Sequence, residues 1–163
     1  MAVCTPEPSA ECVRREMRVQ VAVLRADRRL GYPYPMLVWE DPYMRLDIDS
    51  DERLVRQTRT ARSYEDLAAL QQSLRAMVER MQIGARGEYS LLQDMRAPRG
   101  RNDPEFEKTI TLERERISGG FRKLAVLVTS QVGRLQVQRH LQGTGAPAKA
   151  FLDEAEALRW LKE

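Results

Sequence analysis

A chain of 163 residues, 42% hydrophobic and 31% charged, has room for one domain with a full core. A net charge of +3 excludes neither an acidic nor a basic partner. Of the 27 basic residues 23 are arginine, a bias that GC-rich coding produces as readily as selection for phosphate forks.

The two cysteines, Cys4 and Cys12, form no disulfide framework or zinc pattern, so a reducing compartment is expected. No apolar run approaches the ~18–20 residues of a membrane span. Arg14-Arg15 opens no twin-arginine signal, because the apolar stretch at 19–24 is short and broken by Gln20. A cytoplasmic setting follows as the expectation.

In chain order, residues 1–35 read as an appendage to a domain spanning 36–163. Pro6 and Pro8 keep the start irregular, Ser9 can cap a helix, and Val19, Val21 and Val23 alternate as in a strand. Tyr32-Pro33-Tyr34-Pro35 ends whatever precedes it. The appendage is either a partner-binding arm or an extension from a start codon placed too early, with Met17 or Met36 as later starts.

From Met36 the pattern sharpens. Met36-Leu37-Val38-Trp39 is a short apolar run ended by the turn signal Glu40-Asp41-Pro42. In Met44-Arg45-Leu46-Asp47-Ile48-Asp49 apolar and charged residues alternate, which predicts a strand with one buried and one wet face. Ser50-Asp51 turns the chain into a return strand over 53–60. Ser63 with Asp66 has the spacing of a capping box. It precedes Leu67, Leu70, Leu74, Met77, Val78 and Met81 at helical spacing, with Gly84 and Gly87 closing that helix.

Tyr89 to Met95 reads as the next strand, and Phe106, Ile110 and Ile117 share one side of the following helix, which ends near Gly119-Gly120. Glu113 falls on that same side and must either reach solvent at the edge, the favoured reading, or pair with an arginine. Leu124-Ala125-Val126-Leu127-Val128 is apolar throughout, as in a strand covered on both faces and paired in parallel. Thr129 or Ser130 caps a shallowly buried helix through Leu141, and 143–147 is loop. Ala148 to Leu152 is a short strand, and Asp153 with Glu156 caps a final amphipathic helix. The order β-β-β-α-β-α-β-α-β-α predicts an α/β fold, a mixed β-sheet with helices packed on it and loops gathered at the strand C-termini.

That order resembles the STAS fold, in particular its SpoIIAA-like (STAS/SEC14-like) branch. The residues that carry the likeness are Leu91-Leu92-Gln93-Asp94-Met95-Arg96, the helix entry Asn102-Asp103-Pro104-Glu105-Phe106-Glu107, the strand Leu124 to Val128, and the ending from Phe151 to Leu161. It covers about residues 36 to 163, and its motifs are chiefly structural. In anti-sigma-factor antagonists of this family, a partner kinase phosphorylates a serine or threonine at the helix after the central strand, and the added charge breaks a complex. The equivalent stretch here, Leu91 to Lys108, contains neither residue; Ser90 lies inside the strand, Thr109 well inside the helix, and Asp103 near the switch position. The resemblance therefore implies a docking surface without the serine/threonine phosphoswitch.

The residues point away from catalysis. His140 is the sole histidine and has no recognisable serine or cysteine partner motif. No P-loop or GxGxxG is present, and no metal-ligand spacing, so no catalytic residue, cofactor or metal is assigned. Asp94, Asp103, Glu105 and Glu107 could form an acidic patch, but three of them sit where a helix macrodipole favours carboxylates anyway. Nucleic-acid binding would need interleaved aromatics or a recognition helix.

Arg96, Arg99 and Arg101 lie near a helix N-terminus, and Arg134 and Arg139 follow the neighbouring strand. They either solvate the loops or meet an acidic group. The expected partner surface is thus Asp94, Arg96, Arg99, Arg101, Asn102, Asp103, Arg134 and Arg139, with another protein as partner. The alternative is a small apolar ligand or lipid held between sheet and helices near Leu91, Val126 and Ile110.

Overall fold

The computed structural model describes residues 35–81, 86–98, 103–142 and 145–163. Strands β1 (Met36–Glu40), β2 (Met44–Asp49) and β3 (Leu54–Arg59) form an antiparallel meander. Helix α1 (Leu67–Arg80) leads to β4 (Ser90–Asp94), α2 (Pro104–Ser118) to β5 (Leu124–Leu127), and α3 (Gln131–His140) to β6 (Ala148–Phe151). Helix α4 (Glu154–Lys162) closes the chain. The strands lie in the sheet in sequence order, and every pair from β3 onward is parallel. This is the expected mixed sheet, and no helix among the described residues is long and apolar enough to cross a membrane.

Strand alternation sorts the side chains onto two faces. Leu46, Ile48, Val55, Leu91, Leu124 and Val126 meet Leu70, Leu74 and Met77 of α1 and Ile117 of α2 in the larger core. Leu92, Ala125, Leu127 and Phe151 meet Ala157 and Leu161 of α4 in the smaller one. β5 is buried at all four positions because it serves both cores, as its continuous apolar run implies. Helix α3 buries no residue fully, in line with its divided apolar pattern.

Three local expectations are corrected. The cap of α1 is Asp66, whose carboxylate accepts from the Ala69 amide at 2.7 Å, and Ser63 lies three residues outside the helix. The chain before Asp66 is taken up by Tyr64, whose ring packs 4.4 Å from that of Tyr43 and beneath the Arg59 guanidinium. Asp47, expected on a wet face, is buried, and Arg45 neutralises it through Nε and Nη2 at 2.7–3.0 Å. Glu113 does not reach solvent at the edge: its side chain is 12% exposed and lies 3.5 Å from Arg116 Nη1.

Two devices fix the ends of the assembly. Arg122 and Lys123, just before β5, donate to the last carbonyls of α4. Arg122 reaches Leu161 O and also Ser90 Oγ at 3.3 Å, while Lys123 Nζ reaches Trp160 O at 2.9 Å. Cations at a helix C-terminus satisfy both the free carbonyls and the macrodipole. At the β6 edge of the sheet, the Gln138 side chain of α3 accepts the Ala150 N–H at 3.1 Å. At the other edge, the pairing of β1 with β2 shifts register between Leu37 and Trp39.

Candidate functional site

The C-terminal end of β4 is where the expected site lies. Ser90, Leu92 and Asp94 alternate onto the α4 face of the sheet. The parallel register sets Arg56 beside Leu92 and Thr58 beside Asp94, so Arg56 shares that face one row below Asp94. After β6, Asp153 caps α4 by accepting the Glu156 amide at 2.8 Å, which places Glu154 at the first helical position above the strand ends.

These elements converge on four side chains. Arg96 Nε and Nη2 grip both oxygens of Asp94 at 2.9 and 2.6 Å, and its own amide donates to Asp94 Oδ1 at 3.2 Å. The same Nη2 reaches Glu154 Oε2 at 2.7 Å, and Arg56 Nη2 reaches Glu154 Oε1 at 2.6 Å. Two guanidiniums and two carboxylates thus close into a chain of balanced charge that ties β3, β4, the turn after β4 and the start of α4 together. Fork-shaped arginine contacts of this kind fix orientation as well as energy.

The electrostatics follow from the contacts. Hydrogen bonds from Arg96 hold the Asp94 carboxyl below its ordinary value against the opposing effect of burial. Hydrogen bonding by Arg56, with Arg96 adding to it, does the same for Glu154. Bonding to Asp94 raises the pKa of Arg96. Asp94 therefore stays an ionised acceptor engaged by three donors. A general acid or base would need a value near neutrality and a free lone pair facing substrate.

The expected site residues divide. Asp94 and Arg96 meet directly. Asp103 caps α2, accepting the Phe106 amide at 3.1 Å, which matches its reading as an N-cap near the switch position. Arg134 and Arg139 are exposed on α3, separate from the four-residue network. Arg99, Arg101 and Asn102 lie outside the described residues, as do 1–34, Gly84 and 143–144.

Arg56 and Glu154 belong to the network and were missed in the sequence, where 98 positions separate them. The signal existed in part, as Glu154 follows a recognisable cap. The parallel register that brings Arg56 alongside is invisible in a single strand. A pair of amides, buried Gln57 and half-buried Gln93, was also missed; they join across β3 and β4 at 2.7 Å on the larger-core face.

Leu91 and Val126, two of the three residues proposed to line an apolar ligand site, are packed in the larger core, and Ile110 packs against it. A cleft of about 250 Å³ opens instead on the opposite face, between β2, β3 and α4. Asp47, Asp49, Leu54, Arg56, Leu158 and Leu161 are among its walls.

Neither the protein-family models nor the curated proteins contain a match to this chain. A solved structure does match: an uncharacterised protein of the DUF3478 family with a SpoIIAA-like fold, from Shewanella loihica PV-4. The similarity has a TM-score of 0.55 at 16% identity and covers 76% of this chain and 98% of that one. The chain therefore has a SpoIIAA-like fold, built on the order of strands and helices that its sequence implies.

Proposed function

We propose that this protein is a non-enzymatic, cytoplasmic, STAS-like interaction or regulatory module that docks another protein through the 96–103 loop and the adjoining helix α2. The observation that carries the reading is the closed Asp94–Arg96–Glu154–Arg56 network at the strand ends. It holds the root of the loop in one geometry and keeps its carboxylates ionised and occupied, properties that suit recognition and oppose proton transfer. Asp103 supplies a permanent charge at the helix entry, where a regulated protein of this fold would carry a hydroxyl. The docking surface is accordingly always on, and control falls to the abundance or state of the partner.

The test is affinity purification from the native cell with mass spectrometry for proteins and small molecules, comparing the wild type with an Arg99→Ala, Arg101→Ala double variant. The reading expects a specific protein partner whose recovery falls in the variant. Unchanged partners at unchanged affinity would overturn it. Stoichiometric recovery of a lipid or other apolar molecule would instead favour ligand binding.

A further inference from the structure

The cleft between β2, β3 and α4 has an ordered floor. The antiparallel register sets Asp47 opposite Arg56 and Asp49 opposite Leu54, and the parallel register adds Ser90 beside Leu54 and Leu92 beside Arg56. All of these alternate onto the α4 face of the sheet. Helix α4 lies over β4, β5 and β6 and forms one wall, bringing Leu158 and Leu161 to the cleft. An ion pair ties that wall to the meander at each end of the helix, Glu154 to Arg56 at 2.6 Å and Lys162 to Glu52 at 2.7 Å. Arg56, Glu52 and Lys162 of these ties also line the cleft.

Most of the charge there is already engaged. Arg45 neutralises Asp47, and Glu52 and Lys162 satisfy one another. Two groups of opposite sign keep unused capacity. Asp49 accepts the Asp51 and Glu52 amides on Oδ1 alone, at 3.1 and 2.9 Å, so its Oδ2 has no partner among the described residues. Arg56 gives Glu154 only its Nη2, so Nε and Nη1 have no acceptor among the described residues. The two side chains stand diagonally across β2 and β3, roughly 7–8 Å apart at the backbone, a gap that one small molecule can bridge with a hydrogen bond of about 3 Å at each end. Leu54, Leu158 and Leu161 supply apolar surface beside them.

We infer that this cleft binds a small zwitterion with an apolar body, of the kind and size of an apolar amino acid. Its ammonium meets Asp49, its carboxylate meets Arg56, and its side chain lies against Leu158 and Leu161. At about 250 Å³ the space falls below the ~300–1,000 Å³ of sites that take drug-sized ligands. A lipid fits less well, because an acyl chain would cover charged side chains on the floor without satisfying them. A phosphate would meet the carboxylates of Asp47, Asp49 and Glu52. A metal ion has no suitable group of ligands among the described residues. The cleft shares Arg56 with the network at the strand ends but takes nothing from the 96–103 loop, so the inference stands apart from the docking reading.

Titrating the ¹⁵N-labelled full chain with leucine, methionine and phenylalanine, each to about 10 mM, tests this through amide chemical shifts. At least one of the three should move the amides of residues 47–56 and 158–162 along a saturable curve. The matched compounds with a single charge, the amino-acid amide and the deaminated acid, should bind at least about tenfold more weakly. Asp49→Asn keeps the oxygen that accepts the two turn amides and should weaken binding of the zwitterion by at least about tenfold. Leu158→Trp fills the cleft and should abolish binding. The inference is overturned if none of the three amino acids moves those amides, if the singly charged compounds bind as tightly, or if Asp49→Asn binds like the wild type.

Discussion

Replacing Arg96 with methionine takes the guanidinium out of the centre of the network while keeping much of the side chain's length. The loss is set mainly by what is left behind. The Asp94 side chain is 11% exposed and would lose its two guanidinium hydrogen bonds, keeping only the backbone amide of residue 96, while Glu154 keeps Arg56. Breaking a fully buried pair costs about 3–5 kcal/mol and an exposed pair about 0–1 kcal/mol. Arg96 itself is 38% exposed, so solvent screening places the expected loss between these limits, near 2 kcal/mol. For a domain of this size that is a fall of roughly 5–10 °C in Tm. Urea unfolding followed by circular dichroism at pH 7 measures it. Adding Asp94→Asn to Arg96→Met removes the orphaned charge, so the double variant should recover about half of the loss. A single-variant loss under about 0.5 kcal/mol would refute the reasoning, as would a double variant less stable than Arg96→Met.

Three further outcomes are expected. Asp94 and Glu154 are more acidic folded than unfolded, so their contribution is full above the unfolded carboxylate range near pH 4 and is lost as pH falls through their lower folded values. Stability measured from pH 7 downward should therefore drop below about pH 5, and more shallowly in Arg96→Met. A Cβ on Gly119 would overlap the Glu115 carbonyl oxygen of its own helix, so Gly119→Ala should cost roughly 1–3 kcal/mol in urea unfolding. Arg122→Ala removes the guanidinium shared by the Leu161 carbonyl and the Ser90 hydroxyl and leaves them only their bond to each other at 3.3 Å; it should cost about 1–2 kcal/mol and speed amide exchange in the last turn of α4.

Much of the fold was legible because local pattern and tertiary role agree. The unbroken apolar run of β5 reads as a strand between two cores, and the stripe from Leu67 to Met77 reads as a core-facing helix, since each periodicity has one economical solution. The failures share a cause as well. Asp47 and Glu113 look like solvent-facing charges until a nearby arginine neutralises them, and the placement of a side chain as long as arginine is not written in spacing. Ser63 yielded to Asp66 because the ring of Tyr64 claims a place beside Tyr43, a contact 21 positions away. At the candidate site, Asp94, Arg96 and Asp103 were visible as charged residues at a strand end and helix entry. Their union with Arg56 and Glu154 depends on a parallel pairing and on the return of the last helix. Both are long-range facts.

The hydrogen bond from Ala150 to Gln138 has a consequence for how the molecule behaves in company. A sheet with free edges invites another sheet to continue it, and repetition of that event builds ribbons. Here a glutamine from α3 already occupies a donor in the middle of β6, while the opposite margin is thrown out of register by the irregularity in β1. Polymerisation through β6 would first require α3 to lift away. Gln138→Ala is therefore the substitution under which concentrated protein should begin to self-assemble, with the individual domain still folded.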